Sequence, residues 1–324
     1  MSASEEPSGC VVFHADDFGM NAAVNSGIET AFREGLLTST SLLANAPGAE
    51  AACQVWPSLV SDLASGALVS IERRRQVQDP LTRFDLGIHL NLTQGRPLTQ
   101  EKFPAELLDE NGCFPGIGKI FARINHASNP QLNAVEAELR AQIEWMSDRG
   151  LAPTHLNGHQ YIELIPRVAA LVPKLLRDYS IPIVRVAFER GLFRNVLLRG
   201  DVTSWGLGLI KQLFAKSFRH RMKEANVRFP DRFFGTSHAG RIDKATLRLF
   251  LDQSKKKGYT EIGVHPATEV SSGAVPESDP WFDPLASLRS GELRLLCSQD
   301  LADQLKSRKL TLSRLTELKS RVVK

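Results

Sequence analysis

Acidic and histidine side chains stand at or near the ends of four short apolar runs in this sequence. They are Asp16 and Asp17 after VVFHA, His89 and Asn91 within LGIHLNL, His155 and His159 within PTHLNGHQ, and His265 after TEIGV. If these runs are parallel strands of a barrel, their carboxyl ends meet at one mouth, where residues remote in sequence converge. One carboxylate and two neutral imidazoles can hold a divalent ion and leave coordination positions open. The pattern therefore predicts metal-assisted hydrolysis.

The two adjacent aspartates suggest a division of labour, because neighbouring residues at a strand end point in different directions. One carboxylate can bind the ion while the second accepts a proton from the attacking water, and a histidine across the mouth protonates the leaving amine. Taken singly, aspartate pairs often cap a turn, and a lone histidine in an apolar strand is usually a hydrogen-bonded core residue. His155 and His159 are spaced like a helical zinc pair, but the Asn157-Gly158 turn signal argues against a helix there.

Strand-like and helix-like segments alternate along the chain, which is typical of a parallel sheet covered by helices. Strands are expected at 11–15, 38–44, 86–92, 153–157, 183–188 and 260–265, with weaker ones near Phe233 and Leu293, and helices after Asn21 and Asn129 and at 166–179 and 243–257. About seven or eight mostly parallel strands fit a distorted α/β barrel, TIM-like in its (β/α) order, better than a doubly wound sheet, since GxGxxG and P-loop motifs are absent. We expect one catalytic domain over 1–324, with its core at about 10–300 and excursions at about 65–83 and 189–234.

The composition is that of an ordinary globular protein, with 324 residues, 42% of them hydrophobic and 23% charged. It excludes a coiled coil, a collagen-like repeat and a mostly disordered chain. The net charge of +4 gives no case for a nucleic-acid partner, and no apolar run approaches the roughly 18 residues of a membrane span. The polar N-terminal segment does not read as a secretory signal, so we expect a cytoplasmic protein whose four scattered cysteines are reduced.

Four stretches of the sequence resemble, in the same order, those of the YdjC-like (ChbG-type) carbohydrate deacetylases. They read HADDFGMNAAVNSGIETAFREGLLTSTSLL, LGIHLNLTQGRPL, PTHLNGHQYIELIP and EIGVHPA, and the resemblance spans most of residues 10–270. It implies a distorted barrel similar to that of polysaccharide deacetylases, one divalent metal ion, and removal of an acetyl group from N-acetylated sugars such as chitooligosaccharides. The tract 189–240 is somewhat more similar to a branch of the family that is associated with hopanoid lipid biosynthesis.

The resemblance, carried over motif by motif, implies a role for each of the chemistry-bearing residues. It makes three of them metal ligands, with magnesium or zinc as the expected ion, and it gives two of them proton transfer. The others are expected to orient a ligand or to contact the substrate. The implied metal ligands are Asp17, His89 and His159. Asp16 is the implied general base and His265 the general acid, while His155, Asn91 and Asn157 orient a ligand or contact the substrate.

The chain departs from the family pattern around its third motif. Where the family often has THxDSHHHxH, this sequence has THLNGHQYIE, so Asn157 replaces an acid and Gln160 replaces a histidine. The change bears on the substrate pocket more than on the ion, because His159 is retained. One alternative is therefore a catalytically inactive barrel that binds carbohydrate or regulates, and another is a different metal hydrolase such as a phosphoesterase. The expected partners are an N-acetylated sugar or glycolipid substrate and a second copy of the chain in a homodimer.

Overall fold

The computed structural model describes residues 9–76, 83–189, 205–236, 238–254, 258–269 and 276–318, with backbone alone for 205–210. The strands in these ranges are β1 Gly9–Phe18, β2 Ser39–Leu42, β3 Asp85–Leu90, β4 Leu156–Gly158, β5 Arg232–Phe234, β6 Tyr259–Val264 and β7 Leu310–Leu312. The α-helices are α1 Ala22–Arg33, α2 Ala49–Ser65, α3 Ile71–Gln76, α4 Ile117–His126, α5 Asn129–Ser147, α6 Pro166–Asp178, α7 Trp205–Glu224, α8 Lys244–Gln253, α9 Arg289–Leu296 and α10 Gln299–Ser307. Short 3-10 segments lie at Gln100–Lys102, Ala105–Leu107, His159–Leu164 and Leu315–Glu317.

All strand pairs in these described ranges are parallel, and the sheet runs in the order β4-β3-β2-β1-β6-β5, with β7 beside the start of β1. Two isolated bridges, Leu156 to Val184 and Ile183 to Arg228, extend the pairing beyond β4 toward the residues that precede β5. The sheet therefore curls until its edges approach each other, which is the geometry of a distorted barrel. The expected α/β fold, with mostly parallel strands, is confirmed.

The centre of the sheet is β1, which pairs with β2, β6 and β7. Its adjacent side chains Val12 and Phe13, which point to opposite faces, are both fully buried, as in a parallel strand that is covered on both sides. The strand passes directly into α1, whose N-cap Asn21 accepts a 3.0 Å hydrogen bond from the backbone N–H of Val24 through its side-chain oxygen. The end of β1 is therefore fixed from both directions.

The end of β3 is fixed by α5. This helix begins with a capping box in which the side chains of Ser128 and Gln131 each bond to the other's backbone N–H. On its buried face, Gln142 exchanges two hydrogen bonds with the backbone of Asn91, at 2.9 Å from Asn91 N and 2.7 Å to Asn91 O. Buried Glu138 accepts a further bond from Gln142. A polar helix face thus satisfies backbone groups where the strand stops.

Three expectations about strands meet different outcomes. Phe233 lies in a strand, β5, as expected. The weak strand near Leu293 is wrong, because this residue lies in α9, whose buried side chains recur at the three- and four-residue spacing of a helix. The strand expected at 183–188 is reduced to the two isolated bridges. In addition, β7 pairs with β1, so the sheet continues beyond residue 300.

The helices and the cysteines of the described residues bear on membrane insertion and on disulfide formation. Among the helices in the described ranges, none has both the length and the apolar character that crossing a membrane requires. All four cysteines are free, as expected. Burial raises the pKa of the Cys53 and Cys297 thiols to about 11, which keeps them protonated and unreactive near neutral pH.

Candidate metal centre

Asp16 and Asp17, which point in different directions as adjacent strand residues do, lie where β1 is irregular. The pairing register between β1 and β2 shifts between Ala15 and Phe18, which marks a β-bulge. Asp17 takes up a left-handed backbone conformation with φ of 69°, which aspartate tolerates better than most residues do. Bulges next to active sites commonly re-aim side chains. As a result, the two buried carboxylates have separate sets of hydrogen-bond partners.

Asp17, His89 and His159 lie together at the mouth of the curled sheet. Their candidate ligand atoms are all within 4.8 Å of one another, and all three residues are buried. Asp17 Oδ1 lies 3.4 Å from His89 Nε2 and 2.9 Å from His159 Nδ1. The two imidazoles meet edge to face, with ring centroids 5.3 Å apart. The structure thus brings together three residues that the chain supplies from the ends of β1, β3 and β4.

The chemistry of this donor set fits one divalent cation. A carboxylate oxygen and two imidazole nitrogens suit zinc and other divalent ions and leave room for further ligands. Burial alone would raise the pKa of Asp17, but Arg289 and His159 hold it well below its usual range, so the carboxylate is ionised. Burial lowers the pKa of His89, yet the carboxylates of Asp16 and Asp17 outweigh burial and raise it. The two carboxylates therefore favour positive charge at His89.

The turn that presents His159 is tightly specified. Gln160 and Tyr161, which follow it directly, both have left-handed φ angles, 52° and 64°. Such conformations cost about 1–3 kcal/mol each for residues other than glycine, and they persist only where the surroundings fix them. A Cβ atom at Gly158 would lie 2.3 Å from Glu163 Oε2, so the position before His159 accepts only glycine without a shift. Backbone strain therefore surrounds the candidate ligand.

The second oxygen of Asp17 is bound by a buried arginine. Arg289 Nη2 donates to Asp17 Oδ2 at 2.7 Å, and Arg289 Nε donates to Asp283 Oδ2 at 2.6 Å. Arg289 is 1% exposed, so these charge-assisted bonds are shielded from water. The arginine compensates part of the charge of Asp17 and leaves its Oδ1 for the imidazole side.

Both oxygens of Asp16 are occupied by donors from other elements. Arg185 Nη1 donates to Asp16 Oδ2 at 2.6 Å, and Asn157 Nδ2 donates to Asp16 Oδ1 at 3.0 Å. Arg185 Nε also donates to Glu261 Oε1 at 2.7 Å, so the guanidinium bridges two buried carboxylates. Burial by itself raises the pKa of Asp16, but Arg185 and the neighbouring imidazoles hold it well below its usual range. Asp16 is a fixed, ionised carboxylate beside the three candidate ligands.

His265 adjoins Asp16. Its Nε2 lies 3.7 Å from Asp16 Oδ2, while its Nδ1 lies 4.0 Å from Glu292 Oε2. The backbone N–H of His265 donates to the same Glu292 oxygen at 2.6 Å, which fixes the position of the residue. Burial lowers the pKa of His265 to about 4, so its imidazole is neutral at neutral pH. Burial raises the pKa of Glu292 to about 7.

His155 lies in the interior of the fold. It is fully buried, and its Nδ1 is 2.9 Å from the hydroxyl of Thr154. Its ring packs edge to face against His14, and a Cβ atom at Gly87 would lie 2.3 Å from its Nε2. These contacts pack His155 between β1, β3 and the start of β4, and its expected role around the metal ligands stays a prediction.

Asn91 and Asn157, the two asparagines among the predicted site residues, bond to different parts of the centre. The Asn91 side chain accepts hydrogen bonds from the backbone N–H groups of Thr93 at 2.8 Å and Gln94 at 3.2 Å. It therefore shapes the loop after β3. Asn157 instead contacts Asp16, as described above, and it is paired with His89 across β3 and β4.

Comparison with known proteins assigns the chain to a protein family. The family model described as YdjC-like protein matches residues 10–307. The chain belongs to the YdjC-like family. It is similar to proteins named carbohydrate deacetylase, one from Geobacillus stearothermophilus (34% identity over 261 residues, 81% of this chain and 80% of the relative) and one from Danio rerio (31% over 259 residues, 79% and 74%).

A solved structure resembles this YdjC-like chain along nearly its whole length. It is an Enterococcus faecalis protein, named as a candidate for cellobiose-phosphate cleavage, and its crystal structure superposes with a TM-score of 0.69. The alignment covers 96% of this chain and 98% of that protein at 22% sequence identity. At this identity the likeness shows the fold alone.

Sequence reasoning missed several side chains that hold this YdjC-like site, among them Arg185, Glu261, Gln94 and Arg289. A signal existed for the first two, since each stands inside an apolar run, IPIVRVAF or TEIGVH, where a buried charge needs a partner. Gln94 lies in a loop and Arg289 begins a helix, positions where polar residues are ordinary. Only the three-dimensional arrangement shows that they reach the candidate ligands.

Proposed function

We propose that this chain is a metal-dependent carbohydrate deacetylase that hydrolyses the acetamide of an N-acetylated sugar or sugar-bearing small molecule. The observation that carries the proposal is the buried group of Asp17, His89 and His159, with Asp16 and His265 directly beside it. The relatives named carbohydrate deacetylase support the substrate class. A divalent ion held by the three residues, zinc or magnesium first among the candidates, would polarise the acetyl carbonyl and lower the pKa of water.

The side chains beside the ligands are suited to move protons. Asp16, held ionised by Arg185, accepts the proton of the attacking water. His265 Nε2 is 3.7 Å from Asp16 Oδ2, so a small movement lets the neutral imidazole receive that proton. His265 then protonates the departing nitrogen, and acetate and the free amine leave. The low pKa of His265 fits this order, because the imidazole starts the cycle unprotonated.

Several finer points belong to the same proposal. One catalytic domain, a cytoplasmic location, a homodimer and a glycolipid substrate of the hopanoid-associated branch all stay predictions. Part of the tract that carries the resemblance to that branch, residues 190–204, lies outside the described residues. Sedimentation of the purified protein tests the dimer, and N-acetylated sugars with and without a lipid tail test the substrate.

The test of the proposed function is acetate release. The protein is stripped with a chelator, reloaded separately with zinc, magnesium, manganese or cobalt, and assayed on N-acetylglucosamine and its oligomers. We expect release with at least one ion, no release without it, and unchanged release in the Asp148→Asn variant of an exposed surface aspartate. Ion binding with no acetate from any sugar would favour a binding barrel, and phosphoester turnover without acetate would favour a phosphoesterase.

A further inference from the structure

His159 is bound through both ring nitrogens. Its Nδ1 faces Asp17 Oδ1 at 2.9 Å, and its Nε2 lies 2.6 Å from the side-chain oxygen Oε1 of Gln94. We propose that Gln94 is a positioning residue, which makes His159 keep its proton on Nε2 and present an unprotonated Nδ1 to the cation. The inference rests on the cation site of the proposed function, but it does not depend on the reaction or the substrate.

The orientation of the Gln94 amide follows from its other partner. Gln94 Nε2 lies 2.8 Å from the backbone carbonyl oxygen of Phe282, and a carbonyl can only accept a hydrogen bond. The amino group of Gln94 must therefore face Phe282, which leaves Oε1 facing the imidazole. Because Oε1 is an acceptor, the 2.6 Å contact requires a proton on His159 Nε2. With a cation in the site, a neutral His159 then directs the lone pair of its Nδ1 toward that cation.

The backbone of Gln94 is fixed as firmly as its side chain. Its carbonyl oxygen accepts hydrogen bonds from Asn91 Nδ2 at 2.8 Å and Asn45 Nδ2 at 3.2 Å. Its N–H donates to Asn91 Oδ1 at 3.2 Å. The next residue, Gly95, has φ of 69° and lies against the indole of Trp281, where a Cβ atom would be 2.5 Å from the ring nitrogen. The loop therefore holds Gln94 Oε1 in a fixed position beside His159 Nε2.

The segment that contains Phe282 also supports Asp17, another of the candidate ligands. Phe282 holds Gln94, and Asp283, its neighbour in sequence, holds Arg289, which bonds to Asp17. Two of the three candidate ligands are thus anchored through one stretch of chain. An oriented hydrogen bond on the distal nitrogen of a ligating histidine typically contributes 10- to 100-fold to cation affinity, because it fixes the ring and raises the basicity of the ligating nitrogen.

Two substitutions separate this role from a merely structural one. Gln94→Leu removes both the acceptor for His159 and the donor for Phe282. Gln94→Glu also loses the donor, but it keeps an oxygen acceptor for the ring. The same pair of changes at Gln54, an exposed residue of α2, provides the matched control. Zinc affinity of the chelator-stripped proteins is measured by competition with a chromophoric chelator, and the His159 Nε2–H is followed by 15N-edited NMR.

We expect Gln94→Leu to weaken zinc affinity about 10- to 100-fold and Gln94→Glu to stay within about threefold of wild type or to bind more tightly. The wild type should show a slowly exchanging Nε2–H resonance that disappears in His159→Gln. Equal weakening by both Gln94 variants would overturn the proposal, because only the bond to Phe282 would then matter. If Gln94→Leu does not fold, a wild-type spectrum without the Nε2–H resonance overturns it instead.

These outcomes are distinguishable from failure of the proposed function. If wild type binds no divalent ion, the cation site and the role of Gln94 fall together. If wild type binds zinc and both Gln94 variants match it within about twofold, only the positioning role falls. If the variants behave as expected but no sugar is deacetylated, the positioning role stands and the proposed reaction falls.

Discussion

Asp16 and Asp17 are neighbours in sequence with the same side chain, and each is bonded to a buried arginine, yet their surroundings differ. Asp17 Oδ1 faces two imidazoles, whose nitrogens can act as ligands. Asp16 Oδ1 instead accepts a hydrogen bond from the side-chain amide of Asn157. The surroundings of Asp17 can thus coordinate a cation, and the neighbouring surroundings of Asp16 hold a carboxylate that can act as a base. Adjacent residues of a strand already point in different directions, and the bulge in β1 re-aims both side chains at this point.

The largest effect is expected from breaking the Asp17 side. Asp17→Asn replaces a charged oxygen ligand by a neutral amide and leaves buried Arg289 with one charged partner, Asp283, instead of two. We expect loss of the bound ion and at least about a thousandfold loss of acetate release, since the ion supplies the main stabilisation of developing charge. Metal analysis after dialysis and the acetate assay check this. Full ion content in Asp17→Asn would contradict the assignment of Asp17 as a cation ligand and of Asp16 as the base.

Breaking the Asp16 side should spare the ion. Asp16→Asn keeps a group of the same shape but removes the proton acceptor, so turnover should fall by about 10²- to 10⁴-fold while ion content stays at the wild-type level. The measurement is kcat together with metal analysis on the same sample. Turnover at the wild-type rate would show that another group accepts the proton, and loss of the ion would show that Asp16 is a ligand.

Arg185 sharpens the comparison through pH. It holds the pKa of Asp16 below its usual range, so Arg185→Met should raise that pKa and move the acid limb of kcat/KM to higher pH. The ionised form of Asp16 also stabilises the fold above its unfolded pKa, so acid unfolding should begin at a higher pH in the variant. At pH 5 we expect activity to fall by about tenfold or more relative to wild type.

A matched change keeps this test specific. Arg177→Met, on the exposed surface of α6, should leave the pH profile unchanged. Arg185→Lys retains a positive charge but cannot bond to Asp16 and Glu261 together as the guanidinium does. Its pH profile should therefore lie between those of wild type and Arg185→Met. An acid limb that is identical in wild type and Arg185→Met would remove Asp16 as the titrating base.

The smallest effect concerns the strained turn on the cation side. Gln160→Gly relieves the left-handed backbone at φ of 52°, although glycine also increases the entropy of the unfolded chain. We expect a net stabilisation of up to about 1 kcal/mol, which is a rise in Tm of about 2 °C for a chain of this size. Calorimetry of the metal-free protein measures it. A clear destabilisation would show that the Gln160 side chain, rather than the backbone, is what this turn needs.

The sequence is informative where chemistry follows periodicity. Strand β1, the N-cap of α1 and the convergence at the strand ends follow from local patterns, whereas α5 is capped by Ser128, one residue before the expected Asn129. The resemblance to known motifs adds the roles. Leu293 shows the limit, because a short apolar stretch reads equally well as a strand or as a helix face.

The supporting charges could not be predicted in the same way. Arg289 and Asp17 are 272 positions apart, and Arg185 and Asp16 are 169 apart, so each pair is set by how the barrel closes. The bulge at Asp17 is equally hidden, since aspartate is compatible with both regular and left-handed backbone. Gln94 is a loop residue whose importance follows only from its position between Phe282 and His159.

The central claim is that Asp17, His89 and His159 share one cation. The most direct measurement is anomalous diffraction from crystals of the protein soaked with zinc and collected on both sides of the zinc absorption edge. We expect one strong peak at about 2.0–2.2 Å from Asp17 Oδ1, His89 Nε2 and His159 Nδ1. A peak that contacts other residues, or no peak between these three atoms at saturating zinc, would contradict the claim.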